Sequence, residues 1–124
     1  MESQTDLEIG IGTKEVETLK PEPVKIESVR VEKVGSKDNE KIVCTSKHPK
    51  RDDPIDISQV KYLKNDKVVT TGLWFNKDED GLIRKGSALA VFLEFLGCKT
   101  IKELEGKEVK TDIDEKGYLC FKAF

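Results

Sequence analysis

Residues 55–75, IDISQVKYLKNDKVVTTGLWF, place two strand-forming stretches on either side of Asn65 and Asp66. Asn and Asp tolerate the positive φ angles of a two-residue hairpin turn. The stretch therefore predicts an antiparallel β-hairpin with these two residues as its loop. That turn also fixes the register, because a slip of one residue would move every side chain to the other face.

The predicted register divides the hairpin into two faces, since side chains alternate along a strand. One face is apolar and is expected to lie in the core: Val60, Tyr62, Val69, Thr71, Leu73 and Phe75. The opposite face is mixed and contains the only tryptophan of the chain: Ile57, Gln59, Lys61, Thr70, Gly72 and Trp74.

Strand and helix patterns flank this hairpin. Further strands are predicted over residues 24–34, 42–45, 108–113 and 118–124. The alternation in the first of them slips once near Ser28, as it would at a β-bulge. One helix is expected after Ser87, a suitable N-cap, because apolar residues then recur every three or four positions as far as Gly97.

Strands, one helix and a closing hairpin, in this order over about residues 40–124, resemble the oligonucleotide/oligosaccharide-binding (OB) fold. The resemblance implies a mainly β protein with one helix. It would be a five- to six-stranded Greek-key barrel, with the helix between the third and fourth barrel strands. Residues 24–34 are then an extra strand or half of a long, bent first strand. The stretches Gly72–Asn76 and Lys116–Phe121 also resemble small uncharacterised archaeal or viral proteins, which implies no activity.

The 124 residues are expected to form one domain, over residues 21–124, after an acidic tail over residues 1–20. Residues 1–24 carry a net charge of −4, and the rest of the chain carries +2. No secretory signal or membrane span is recognisable, so we expect a cytoplasmic protein with no membrane partner. Nineteen lysines against three arginines are typical of a thermophilic composition.

The residues that could hold a metal or catalyse a reaction are few and dispersed. Zinc sites use close ligand pairs, and only Cys44 and His48 are spaced in that way, so all three cysteines, Cys44, Cys98 and Cys120, are expected to be free thiols. Residues 76–83 match the opening of a calcium loop, but Ser87 stands where the bidentate Glu should be. We expect no metal, no cofactor and no enzymatic activity.

Cations and one aromatic residue give the chain its candidate binding function. Single-stranded nucleic acids bind where lysines meet phosphates and an aromatic ring stacks on a base. The resemblance implies a ligand face on barrel strands two and three, with flanking loops. The predicted site for single-stranded DNA or RNA combines the mixed hairpin face with the loop between the first two barrel strands: Gln59, Lys61, Thr70, Gly72, Trp74, Lys47, Lys50 and Arg51. Gly72 is expected to leave a flat, open spot beside the indole.

The alternative is a protein-interaction or scaffolding module whose acidic tail docks a protein partner. Two features favour it over nucleic-acid binding. Asp52 and Asp53 partly cancel the charge of the basic loop, and the turn over residues 112–115 is acidic.

Overall fold

The computed structural model describes residues 20–37 and 39–124, which form a mainly β structure with one α-helix. These described residues contain eight strands: β1 (Val24–Val34), β2 (Asn39–Lys47), β3 (Ile55–Ile57), β4 (Gln59–Lys64), β5 (Lys67–Gly72), β6 (Glu108–Val109), β7 (Thr111–Ile113) and β8 (Leu119–Ala123). Helix α1 spans Ala88–Phe95, and a 3₁₀ helix spans Ile101–Leu104.

The strands form two curled four-stranded sheets around one core. The strand order is β3-β2-β1-β6 in one sheet and β5-β4-β8-β7 in the other. All neighbours are antiparallel except β4 and β8, which are parallel. Ser58 alone separates β3 from β4, and Lys110 alone separates β6 from β7, so each of these pairs passes from one sheet into the other.

The central hairpin has the predicted register. Gln59 lies opposite Gly72 and Lys61 lies opposite Thr70. Asn65 and Asp66 have φ angles of 52° and 65°, as a two-residue turn between twisted strands requires. The core-facing side of the hairpin is also confirmed, because Val60, Tyr62 and Leu73 are buried and Val69 and Phe75 pack against the core.

Residues 24–34 form strand β1, which belongs to one of the two sheets. β1 pairs with β2 along its length, and its register shifts between Ile26 and Ser28, so the predicted bulge is confirmed. Its first residues, Val24 and Ile26, are fully buried and also meet β6. The loop over residues 48–54 joins β2 to β3.

Helix α1 begins and packs as its sequence predicts. The Ser87 hydroxyl accepts a hydrogen bond from the Ala90 N–H at 3.2 Å, which caps the first turn. The apolar stripe lies against the sheet, where the rings of Phe92 and Phe121 stack with centroids 4.9 Å apart. The helix follows β5 and precedes β6, so the predicted placement between the third and fourth barrel strands is not confirmed in this strand count.

The predicted tail lies outside the described residues except for Lys20. The carbonyl oxygen of Lys20 lies 2.8 Å from Nε2 of His48, which is fully buried. Nδ1 of the same ring accepts a hydrogen bond from the Lys50 N–H at 3.0 Å, so Nε2 is the nitrogen that donates to Lys20. His48 therefore attaches the start of the described chain to the end of β2.

Candidate functional site

The structure brings five predicted site residues onto the outer face of the hairpin. Gln59 and Lys61 alternate with the buried Val60 and Tyr62 along β4. Thr70 and Gly72 lie opposite them on β5, and Trp74 follows two residues later on the same face. This set is the outer hairpin face.

Trp74 lies beside Lys41, which is not one of the predicted site residues. Residues 73–75 pair with the start of β2, where the Ile42 N–H donates to the Leu73 carbonyl at 2.8 Å. This pairing sets Lys41 opposite Trp74. The ammonium of Lys41 lies 5.0 Å from the centre of the indole, which is within the range of a cation–π interaction.

Gly72 does not leave the open spot that was expected. A Cβ atom at this position would lie 2.9 Å from Cε of Lys41 and 2.9 Å from Nε1 of Trp74. The edge of the indole and the end of the lysine stem therefore cover the glycine. The absence of a side chain at Gly72 allows both of them to lie close to the strand.

Lys61 is occupied by contacts within the protein. Its ammonium donates to the Ile113 carbonyl at 2.7 Å and lies 3.4 Å from Oδ2 of Asp112. The side chain of Lys61 is only 19% exposed. The N–H of Ile113 and the ammonium of Lys61 together hold the pKa of the Asp112 carboxyl below its usual value. Lys61 thus connects β4 with β7. Its ammonium is neutralised by Asp112 and is poorly available to a ligand.

The basic loop over residues 48–54 is remote from Trp74. Lys47, at the start of this loop, donates to the backbone carbonyls of Arg51 and Asp52. Lys47 is six residues further along β2 than Lys41, which places it about 20 Å away at about 3.3 Å per residue. Lys50 and Arg51 are exposed. The predicted site is therefore divided between the two ends of β2.

A polar cavity of about 210 Å³ adjoins Trp74 at the edge strand β5. Its lining includes Lys64, Thr71, Asn76 and the first residues of helix α1. Lys64 lines this cavity from the turn end of the hairpin, whereas Lys41 lies beside the indole. Within residues 20–37 and 39–124, neither of these two lysines lies within 4.0 Å of a carboxylate.

A larger groove, of about 620 Å³, lies at the other end of the outer hairpin face. Gln59, Val68 and Thr70 line one side, and the turn that joins β7 to β8 lines the other with Asp114, Glu115, Lys116 and Tyr118. Tyr118 is 65% exposed. The sequence predicts only an acidic connection at this turn. The aromatic residue directly after Gly117 is the signal that could have indicated the groove.

The three cysteines are buried and lie on separate elements. Burial raises the pKa of the Cys44 thiol to about 12 and that of Cys120 to about 11. It also raises the pKa of Cys98. Among the described residues, no three His, Cys, Asp or Glu side chains are grouped as metal ligands.

In the loop that matched the opening of a calcium site, the Asp78 carboxylate binds backbone N–H groups of the same loop. Oδ1 of Asp78 accepts hydrogen bonds from the N–H groups of Asp80 and Leu82, at 2.9 Å and 3.0 Å. Asp and Asn side chains commonly stabilise turns in this way. This carboxylate therefore accounts for the shape of the loop.

The fold and the site define the class of the protein only broadly, as a β-rich protein with curled sheets and two cavities on one hairpin. Comparisons with protein-family models, with curated proteins and with solved structures find nothing that matches the chain. None of the helices in the described part of the chain is both long and apolar enough to cross a membrane.

Proposed function

We propose that the protein is a non-catalytic binding module that holds single-stranded DNA or RNA weakly, with little sequence preference, on the outer hairpin face. The observation that carries this proposal is the half-buried indole of Trp74 with the ammonium of Lys41 5.0 Å from its centre, a lysine that has no carboxylate within 4.0 Å among residues 20–37 and 39–124. An aromatic ring for a base and cations for phosphates are the two requirements for binding a single strand without sequence specificity.

The strand pairing supports an OB-like barrel beneath this face. If β3 and β4 count as one bent strand, and β6 and β7 as another, five strands remain. The parallel pairing of β4 with β8 and the antiparallel pairing of β1 with β6 then connect them in a ring. In this count α1 lies between the third and fourth barrel strands, with β5 as an addition. The outer hairpin face then includes the third barrel strand, one of the two that carry ligands in this fold.

Each predicted residue has a revised role in this proposal. Trp74 stacks on a base, while Gly72 keeps the indole close to the strand. Gln59 and Thr70 offer hydrogen bonds, and Lys61 positions β4 against β7 without binding phosphate. Lys47, Lys50 and Arg51 form a separate basic cluster that a longer strand reaches along β2.

The number of available cations sets the expected salt dependence. Lys41 beside the indole, Lys64 at the turn end of the hairpin, and Lys50 and Arg51 on the basic loop allow three or four phosphate contacts. Each neutralised phosphate of a single strand contributes about 0.7 to the slope of log K against log salt. The slope should therefore be about −2 to −3, with modest affinity at physiological salt.

Trp74 provides the test, because it is the only tryptophan. Its fluorescence should be quenched when an oligonucleotide is added, and Trp74→Ala should cost about 1–3 kcal/mol of binding. Lys41→Ala should reduce the salt slope by about 0.7. Lys99→Ala, beyond the end of α1, is the matched control and should change neither. The proposal fails if neither single-stranded DNA nor RNA causes quenching or a mobility shift at low salt.

One observation favours the second candidate, a protein-interaction module with the acidic segment as a docking element. Leu63 and Val68 lie directly opposite each other near the hairpin turn, and each is about half exposed. Exposed apolar pairs of this kind are common at protein interfaces. This candidate takes first place if the oligonucleotide experiments fail.

A further inference from the structure

The groove beside Tyr118 offers a second, different kind of binding position on the outer hairpin face. Its volume of about 620 Å³ lies within the range of small-molecule sites. Thr70, in this groove, and Trp74 are four residues apart on one strand face, about 13 Å at strand spacing. A single strand that stacks on Trp74 can therefore continue into the groove.

The turn that carries Tyr118 is held in a defined shape. Oδ1 of Asp114 accepts hydrogen bonds from the N–H groups of Lys116 and Tyr118, both at 2.9 Å. The Asp114 N–H donates to the Tyr118 carbonyl at 2.8 Å, and Gly117 has a φ angle of 87°, which favours glycine. The protein therefore presents an exposed aromatic ring on an ordered turn, so little conformational entropy is lost when a ligand stacks on it.

The charges around the groove select which part of a nucleotide enters it. Asp114 and Glu115 line the same side as the tyrosine, with Lys116 as the one cation in the lining. Two carboxylates against one ammonium disfavour a phosphate. The phosphates of a bound strand are better placed outside the groove, toward Lys41 beside Trp74. The groove is thus suited to a base and not to the backbone.

The polar groups of the groove also distinguish between bases. The carboxylate of Glu115 only accepts hydrogen bonds, whereas Gln59 and Thr70 both donate and accept them. Cytosine, adenine and guanine carry an exocyclic amino group that donates to a carboxylate. Uracil and thymine present a carbonyl oxygen at the position where cytosine has its amino group, and a carboxylate repels that oxygen.

We propose that the groove binds one nucleobase with an exocyclic amino group, stacked on Tyr118 and hydrogen-bonded to Glu115. This inference rests on the proposed function and adds a base preference to it. The protein distinguishes only this one base of the bound strand, so its sequence preference is modest.

Oligo(dC) and oligo(dU) of equal length form the matched pair of probes, since their bases differ at the 4-amino and 4-carbonyl groups. Fluorescence anisotropy of labelled oligonucleotides with the full chain should give oligo(dC) about threefold to tenfold tighter binding, which corresponds to the net contribution of one typical hydrogen bond. Glu115→Gln should bring the two affinities within about twofold. Glu108→Gln, an exposed acid on β6, is the control and should preserve the difference.

Tyr118→Ala tests the stacking contact separately. It should weaken the binding of both probes by about 5- to 100-fold, as the loss of one aromatic stack does. Phe95→Ala, another exposed aromatic, should leave binding unchanged, and circular dichroism should show that both variants are folded. Equal affinities for oligo(dC) and oligo(dU), together with a silent Tyr118→Ala, would refute the groove proposal. In that case quenching of Trp74 would still support binding on the outer hairpin face, whereas no binding of either probe would refute both proposals.

Discussion

Replacing Phe92 by alanine should remove the main contact between helix α1 and the sheet. The side chain is fully buried, and its ring stacks on Phe121 at a centroid distance of 4.9 Å with 20° between the ring planes. Truncation of a buried Phe to Ala costs about 3–5 kcal/mol, of which an aromatic pair supplies about 0.5–1.5 kcal/mol. Small domains are stable by about 5–15 kcal/mol, so this single change removes a large part of the free energy of unfolding.

Urea unfolding followed by Trp74 fluorescence and by far-ultraviolet circular dichroism measures the effect. With an m value near 2 kcal/mol/M, the midpoint should fall by about 2 M. Phe95→Ala is the matched control, because it changes the same residue type on the same helix where the side chain is 52% exposed. It should cost less than about 0.5 kcal/mol. Similar losses in the two variants would show that α1 does not pack as described.

Two further predictions concern the start of the chain and the response to acid. Deletion of residues 1–19 should leave the melting temperature nearly unchanged. His48→Leu should lower the free energy of unfolding by about 1–3 kcal/mol, because it leaves the Lys20 carbonyl unpaired. Equal losses of stability for the two variants in thermal unfolding would contradict this prediction. Arg30 holds the pKa of Asp56 below its usual value, so the ionised carboxylate stabilises the protein above the unfolded pKa of about 3.9. This contribution is lost as pH falls through the lower folded pKa. Urea unfolding of Asp56→Asn should therefore show a shallower loss of stability below about pH 4, and an unchanged pH dependence would refute the role of Arg30.

Local patterns in the sequence were sufficient to predict the elements whose contacts are close along the chain. The hairpin register follows from Asn65 and Asp66, because a two-residue turn leaves only one alignment of its strands. The N-cap at Ser87 and the bulge before Ser28 are also local features. Each of these predictions depends on residues that lie close together in the sequence.

The candidate site could be predicted only in part, because its decisive contacts join distant segments. Trp74 meets Lys41 since residues 73–75 leave the hairpin and pair with β2, which no local pattern indicates. Likewise, Lys61 is held by Asp112 in β7, about fifty residues further along the chain. The groove at Tyr118 exists only where a distant turn meets the hairpin.

Ion pairing explains why net charge is a poor guide to the binding surface of this protein. Several cations of the described residues are paired with carboxylates: Arg30, Lys61, Lys77 and Lys102. Each such pair lowers the local positive potential, and the loop over residues 48–54 carries its own acids. Within residues 20–37 and 39–124, Lys41, which lies beside Trp74, has no carboxylate within 4.0 Å. Since exposed charges further apart than about 10 Å are largely screened at moderate salt, Lys41 determines what the indole face attracts more than the remote cations do.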